Sequence, residues 1–228
     1  MLIIGHRGSA GTKPQNTIAS LREAIRVGVD IIEIDVRLTR DRVPVLHHDF
    51  HMYHTQRKFD FVGRHTLSEL QKRTAGSDHP IVTLEQALKE CFGKVLINIE
   101  VKEVLGASRT LDILSSFIKK KSDWDNIIIS SFKPMALLRV HKRAPNAKLA
   151  MLHRLNPLNY ILWQRQLKLT AVGFHRLNLN GFALEVARQL GLFIYVYTVN
   201  RPQALNKLIE KGVDGVVTDF PERMLKKL

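Results

Sequence analysis

Three short clusters in the first half of the chain hold the residue types needed to bind an anionic ester and move protons: His6-Arg7-Gly8, Glu33-Ile34-Asp35 and His48-Asp49. Each stands at the end of a run that reads as a strand. Side chains alternate across a strand, so Glu33 and Asp35 share one face while Ile32, Ile34 and Val36 share the other. Two carboxylates on one face of an apolar strand are costly unless a cation meets them. The pattern recurs in Val95-Leu96-Ile97-Asn98-Ile99-Glu100-Val101-Lys102, which adds a third carboxylate and a cation. Hard oxygen donors of this kind suit one divalent cation, Mg2+ or Ca2+, better than zinc. Taken singly, each charge also reads as a strand-end residue paired with a neighbouring Arg or Lys. As a set with histidines beside it, the constellation reads as a catalytic site.

At these residues the chain resembles the glycerophosphodiester phosphodiesterase family. The resemblance runs through His6-Arg7-Gly8, Pro14-Gln15-Asn16-Thr17, Glu33-Ile34-Asp35, His48-Asp49 and Glu100-Val101-Lys102. It returns in Tyr197-Thr198-Val199-Asn200 and in the run from Gly212 to Pro221. It implies a metal-dependent TIM barrel that hydrolyses glycerophosphodiesters to sn-glycerol 3-phosphate and an alcohol. By that resemblance Glu33, Asp35 and Glu100 would hold the metal, His6 and His48 would carry protons, and Arg7 and Lys102 would hold the phosphate. Four positions depart from the family pattern: Gln15 stands for the usual Glu, His54 for an Arg, Gln56 for a Thr, and Tyr197 for a Trp. Tyr197 is expected either to shape the glycerol or leaving-group pocket or to pack as wall.

Positioning such a site takes a regular scaffold. Short β-branched runs begin near Leu2, Asp30, Val95, Asn126, Lys148, Ala171, Phe193 and Gly215. Amphipathic stretches between them predict helices over about 16–27, 84–92, 106–121, 134–143, 157–167, 181–190 and 202–211. The first is expected to open on Asn16 as N-cap and to stop at Gly28. Eight such units close an α/β (β/α)8 barrel; an open doubly wound sheet uses the same alternation. The chemistry favours the barrel, whose active site forms at the carboxyl ends of its strands. The rhythm breaks at about 43–82, where a short extra strand ending at His48-Asp49 leads into a polar, histidine-rich insertion, about 49–82. A single domain over 1–228 is the economical reading.

The chain carries 35 Lys and Arg against 21 Asp and Glu, a formal charge of +14, which attracts anions of any kind. There is no long basic tail or nucleic-acid motif, so no nucleic-acid partner is expected. A small glycerophosphodiester is the expected partner, with an anionic membrane surface as a second. The apolar stretch Leu158–Arg165 reads first as a packing helix and second as an interfacial lipid contact. The second reading would make a lysophospholipid the substrate, with lysophospholipase D chemistry. A barrel that binds phosphodiesters without turnover is the non-enzyme alternative, but binding alone has no use for two proton carriers. The run His48-x-x-His51-x-x-His54 permits a zinc reading, weakened by the lack of cysteine. No apolar run spans a bilayer and no secretory signal core is present, so a cytoplasmic location is expected. The lone Cys91 reads as a small buried hydrophobe, and no motif specifies an oligomeric state.

Overall fold

The computed structural model describes residues 1–52, 60–153, 156 and 158–228. Strands β1 (Leu2–Gly5), β2 (Ile31–Leu38), β4 (Leu96–Val101), β5 (Ile127–Ser131), β6 (Lys148–His153), β7 (Ala171–His175), β8 (Phe193–Tyr197) and β9 (Gly215–Thr218) are all parallel. Their order β1-β9-β8-β7-β6-β5-β4-β2, with β1 pairing back to β2, closes an eight-stranded barrel. The short β3 (Pro44–Leu46) pairs antiparallel to β2 outside the ring. The open-sheet rival is thereby excluded.

Helices α1 (Ile18–Val27), α2 (Leu67–Thr74), α3 (Leu84–Cys91), α4 (Val104–Leu114), α5 (Pro134–Arg143), α6 (Asn159–Leu167), α7 (Gly181–Gln189), α8 (Leu205–Glu210) and α9 (Pro221–Leu225) lie along the chain between or after the strands. Two apolar layers result. Ile32, Ile34, Ile97, Ile99, Ile129 and Val172 belong to the large core that also takes in the helices, whereas Ile4, Ile31, Leu152, Tyr195 and Val217 form a smaller, separate cluster. The alternation predicted for β2 is therefore realised, with the carboxylates on the side away from the helical layer.

Several boundaries move for local reasons. The N-cap of α1 is Thr17, whose side chain accepts from Ser20 N at 3.2 Å, and not Asn16, which adopts φ 57° and is used elsewhere. Gly28, at φ 81°, ends that helix as expected. The helix predicted over 106–121 is α4, three turns long, because Ser115 and Ser116 hydroxyls donate to the Asp112 and Ile113 carbonyls at 2.7 and 2.8 Å and end it. The expected 202–211 helix splits into a 3-10 turn at Pro202–Ala204 and α8. The extra strand stops at Leu46, so His47 and His48 lie beyond it.

Within the insertion, α2 was not foreseen. Its signal was the capping box Thr66-x-x-Glu69, in which Glu69 N donates to Thr66 Oγ1 and Thr66 N to Glu69 Oε2. The helix buries only Leu70 and Thr74, too narrow a face to register as amphipathic. His54, Gln56 and Pro157 lie outside the described residues. Among the described residues no helix is long and apolar enough to cross a membrane.

Candidate active site

Strand register sets the floor of the site. Parallel pairing puts Asp35 opposite Glu100 and Glu100 opposite Ser130, with Glu33 opposite Asn98 two residues earlier on the same faces. One oxygen each from Glu33, Asp35 and Glu100 lies within 4.8 Å of the others, and all three residues are buried. Among the described residues this is the only group of three or more acidic, His or Cys side chains so placed.

The loop after β1 wraps onto that floor. Arg7 sits at φ 52°, held there as its backbone N–H donates to Glu33 Oε2 at 2.9 Å and its carbonyl accepts from Ser20 Oγ and Asn16 N. Gly8 follows at φ 87°, where a Cβ would lie 2.6 Å from the backbone carbon of Ser20. Only glycine fits both the left-handed backbone and that approach. Gly8→Ala is expected to destabilise the fold by about 2 kcal/mol or more, read as a lower urea midpoint at unchanged slope. A wild-type midpoint would show that the loop has slack this geometry denies.

Charge balance is tight. Lys102 Nζ contacts Asp35 Oδ1 at 2.7 Å and Glu100 Oε1 at 2.5 Å, and Arg7 Nε lies 3.1 Å from Asp35 Oδ2. Asn16 Nδ2 donates to Asp35 Oδ2 at 2.9 Å. Burial pushes the Asp35 carboxyl up, but Lys102, Arg7 and His48 outweigh it and hold the group well below its usual range. Burial, then the charges of Asp35 and Glu100, push Glu33 well up. Burial lifts Glu100 to about 7, with Asp35 adding and Lys102 opposing. Three carboxylates thus face two cations, and the protein alone leaves two of the three reluctant to ionise. An oxygen-only donor set short of positive charge fits a hard divalent cation.

Two histidines meet the same cavity, each anchored differently. His6, just beyond β1, donates from Nδ1 to Asp219 Oδ1 at 2.6 Å. Asp219 accepts in turn from Asn200 Nδ2 at 2.6 Å, while Asn200 Oδ1 accepts from Asp219 N and Thr218 Oγ1. Burial raises the Asp219 carboxyl, but the His6 and Asn200 contacts outweigh it and the net direction is down. An ionised Asp219 fixes the tautomer and leaves His6 Nε2 for the cavity. His48 donates from Nδ1 to Asp49 Oδ1 at 2.8 Å, and its carbonyl accepts from Arg37 Nε at 2.9 Å. Arg37 is itself held by Glu103 at 2.7 Å. Burial brings the His48 imidazole down to about 4, with Lys102 and Arg7 adding and Asp35 and Asp49 opposing.

The cavity at the barrel mouth holds about 340 Å3 and is lined by His6, Arg7, Glu33, His48, Glu100 and Tyr197 among others. Asp35 and Lys102 stand against that lining through the contacts given above. Tyr197 donates to the His153 carbonyl at 2.5 Å and packs edge-on to Phe132, so its hydroxyl is tied into the wall. Gln15, at the position where the family pattern has Glu, accepts from Arg7 Nη1. His54, the third member of the zinc run, lies outside the described residues.

Asn200 and Asp219 carry no role in the sequence reading, and Asn16 only that of a helix cap. Asp219 follows β9 as His6 follows β1, so strand-end position was the available signal. Asp219→Ala is expected to lower kcat about 10- to 100-fold with little change in KM, because it frees the His6 ring without touching the cavity floor. An unchanged kcat would make the Asp219 contact incidental.

The glycerophosphoryl diester phosphodiesterase family model matches residues 6–223. A glycerophosphodiester phosphodiesterase of Caldanaerobacter subterraneus subsp. tengcongensis is 32% identical over 235 residues, covering 98% of this chain and 96% of its own. Among solved structures, a Thermotoga maritima glycerophosphodiester phosphodiesterase superposes with a TM-score of 0.85 at 28% identity, covering 99% of this chain and 97% of that one. An Oleispira antarctica phosphodiesterase in complex with the product sn-glycerol-3-phosphate gives a TM-score of 0.89 at 24% identity, covering 100% and 96%, and shares the fold. With a family match over nearly the whole chain, a closed parallel barrel and the acidic floor at its mouth, this chain belongs to the glycerophosphoryl diester phosphodiesterase family and to its enzyme class.

Proposed function

We propose that the chain, as one domain over 1–228, hydrolyses glycerophosphodiesters to sn-glycerol 3-phosphate and an alcohol, using one Mg2+ or Ca2+ held by Glu33, Asp35 and Glu100. The observation that carries the reading is the meeting of those carboxylates with two separately anchored histidines on one cavity. The bound ion would supply Lewis-acid polarisation of the phosphoryl oxygens and a fixed positive charge.

The remaining work falls to side chains. Arg7 grips the phosphate with the guanidinium N–H groups left over from Gln15 and Asp35, and Lys102 adds a point charge from behind the carboxylates. His48, neutral at pH 7, takes the proton of a glycerol hydroxyl as its oxygen bonds to phosphorus. His6, braced by Asp219, gives a proton to the alcohol oxygen as its bond to phosphorus breaks. A cyclic phosphate ester results. Water then opens it with the proton transfers reversed, His6 accepting and His48 donating. Tyr197 and Phe132 bound the space for the leaving alcohol. A cytoplasmic setting goes with this reading, since the single buried Cys91 closes no disulfide within the chain.

The test is a panel of glycerophosphodiesters, lysophospholipids and bis-aryl phosphates with Mg2+ or Ca2+, quantifying sn-glycerol 3-phosphate. Release from at least one glycerophosphodiester is expected. No release from any would leave the non-catalytic binding reading in its place.

A further inference from the structure

The positive charge of this chain is unevenly placed. From residue 126 to residue 184 there is no Asp or Glu, while the same stretch carries nine Lys and Arg. It runs through three consecutive βα units, β5-α5, β6-α6 and β7 into the start of α7. Of its cations, Arg143 and Lys148 pair with Asp112 and Asp125 from outside the stretch. Among the described residues, Lys133, Arg165 and Arg176 have no acidic partner and are exposed. These three βα units therefore bring cations and no acids of their own to one sector of the barrel.

The same sector exposes large apolar side chains where a soluble barrel normally presents polar loops. Phe132, Met135, Leu158, Leu162, Leu177 and Phe182 lie in the loops after β5, β6 and β7 or in the first turns of the helices that follow. Leu162 and Leu177 are each 76% exposed and Phe182 is 66% exposed. In a βα barrel those loops surround the end that carries the site, and Phe132 also lines the catalytic cavity. Leu158 and Leu162 are four residues apart, on one side of the start of α6. Single exposed apolar side chains need no explanation, but six in three adjacent loops, interleaved with cations and free of acids, do.

We infer that this rim docks on an anionic lipid bilayer, with Leu162, Leu177 and Phe182 entering the headgroup boundary and the flanking cations meeting lipid phosphates. Charge complementarity selects an anionic surface, and the protruding apolar groups select lipid over nucleic acid, which offers no hydrocarbon to receive them. Docking rests on the hydrolase reading above for its purpose: it sets the cavity mouth at the headgroup layer, where glycerophosphate esters of lipids present themselves.

Co-sedimentation of the full chain with vesicles tests the inference directly. Binding is expected to phosphatidylcholine vesicles containing about 30% phosphatidylglycerol, not to phosphatidylcholine alone, and to weaken in about 0.5 M salt. Leu162→Glu with Leu177→Glu, and separately Lys133→Glu with Arg165→Glu, should each weaken it about tenfold or more. Both variants should hydrolyse a water-soluble glycerophosphodiester at the wild-type rate, since none of these residues lines the cavity. Failure of the wild type to bind anionic vesicles would overturn docking, as would a leucine variant that binds like wild type, which would reduce the rim to a generic polyanion contact. Absence of soluble-substrate hydrolysis with the vesicle pattern intact would remove the hydrolase reading and leave docking standing.

Discussion

Stripping the protein with EDTA is expected to abolish glycerophosphodiester hydrolysis, and Mg2+ or Ca2+ to restore it, without unfolding the chain. Asp35 is already held by Lys102, Arg7 and Asn16, and Glu33 and Glu100 can take up protons when no cation meets them. Circular dichroism should therefore change little while turnover falls by about 10³-fold or more, the several kcal/mol that ion-stabilised phosphoryl charge contributes. The affinity for the cation should depend on pH with a definite sign. Glu100 is pushed up to about 7 and Glu33 lies well above its usual range, so below neutrality the cation must displace protons to bind. Titration calorimetry should show affinity rising with pH up to about 7 and proton release on binding in the acid range. Full turnover by metal-stripped protein, or affinity independent of pH, would separate the acidic floor from the reaction.

The parts of this molecule legible in sequence were those written in local periodicity. All eight barrel strands begin within one residue of the expected positions, because β-branched alternation is a property of four or five neighbours. Carboxylate placement followed from the same alternation, since Glu33 and Asp35 cannot share a face with Ile34. What escaped were contacts across distant segments. Asn16 looked like a helix cap because Asn is a good one, yet Thr17 stands next to it and caps the helix, which frees Asn16 to turn at positive φ and reach Asp35 nineteen residues on. The brace from Asp219 to His6 joins the two ends of the ring, 213 residues apart, and no window of sequence contains both. The resemblance implies a phosphate ligand at Lys102; the contacts the structure gives it are with Asp35 and Glu100.

The histidine pair separates catalysis from binding most sharply. His6→Ala and His48→Ala each remove one proton carrier and leave Arg7, Lys102 and the three carboxylates in place, so kcat should fall by about 10²- to 10⁴-fold with KM changed far less. Arg7→Ala should differ by raising KM as well, since it meets the phosphate before and during reaction, and should also loosen Asp35. The two histidine variants should differ from each other in leaving-group dependence. If His6 protonates the departing oxygen, its loss matters least for a phenol, which leaves readily without a proton, and most for an alkyl alcohol. Loss of His48 should penalise both classes alike in the first step, because the attacking hydroxyl must shed its proton whatever leaves. His48, held near 4 by burial, stays in its base form across the neutral range, so this comparison can be made at one pH without titrating it. A His6→Ala defect in the release of the alcohol that is equal for aryl and alkyl substrates would take the acid role from His6. Near-normal kcat in both variants would leave the cavity a binding site whose histidines serve only its shape.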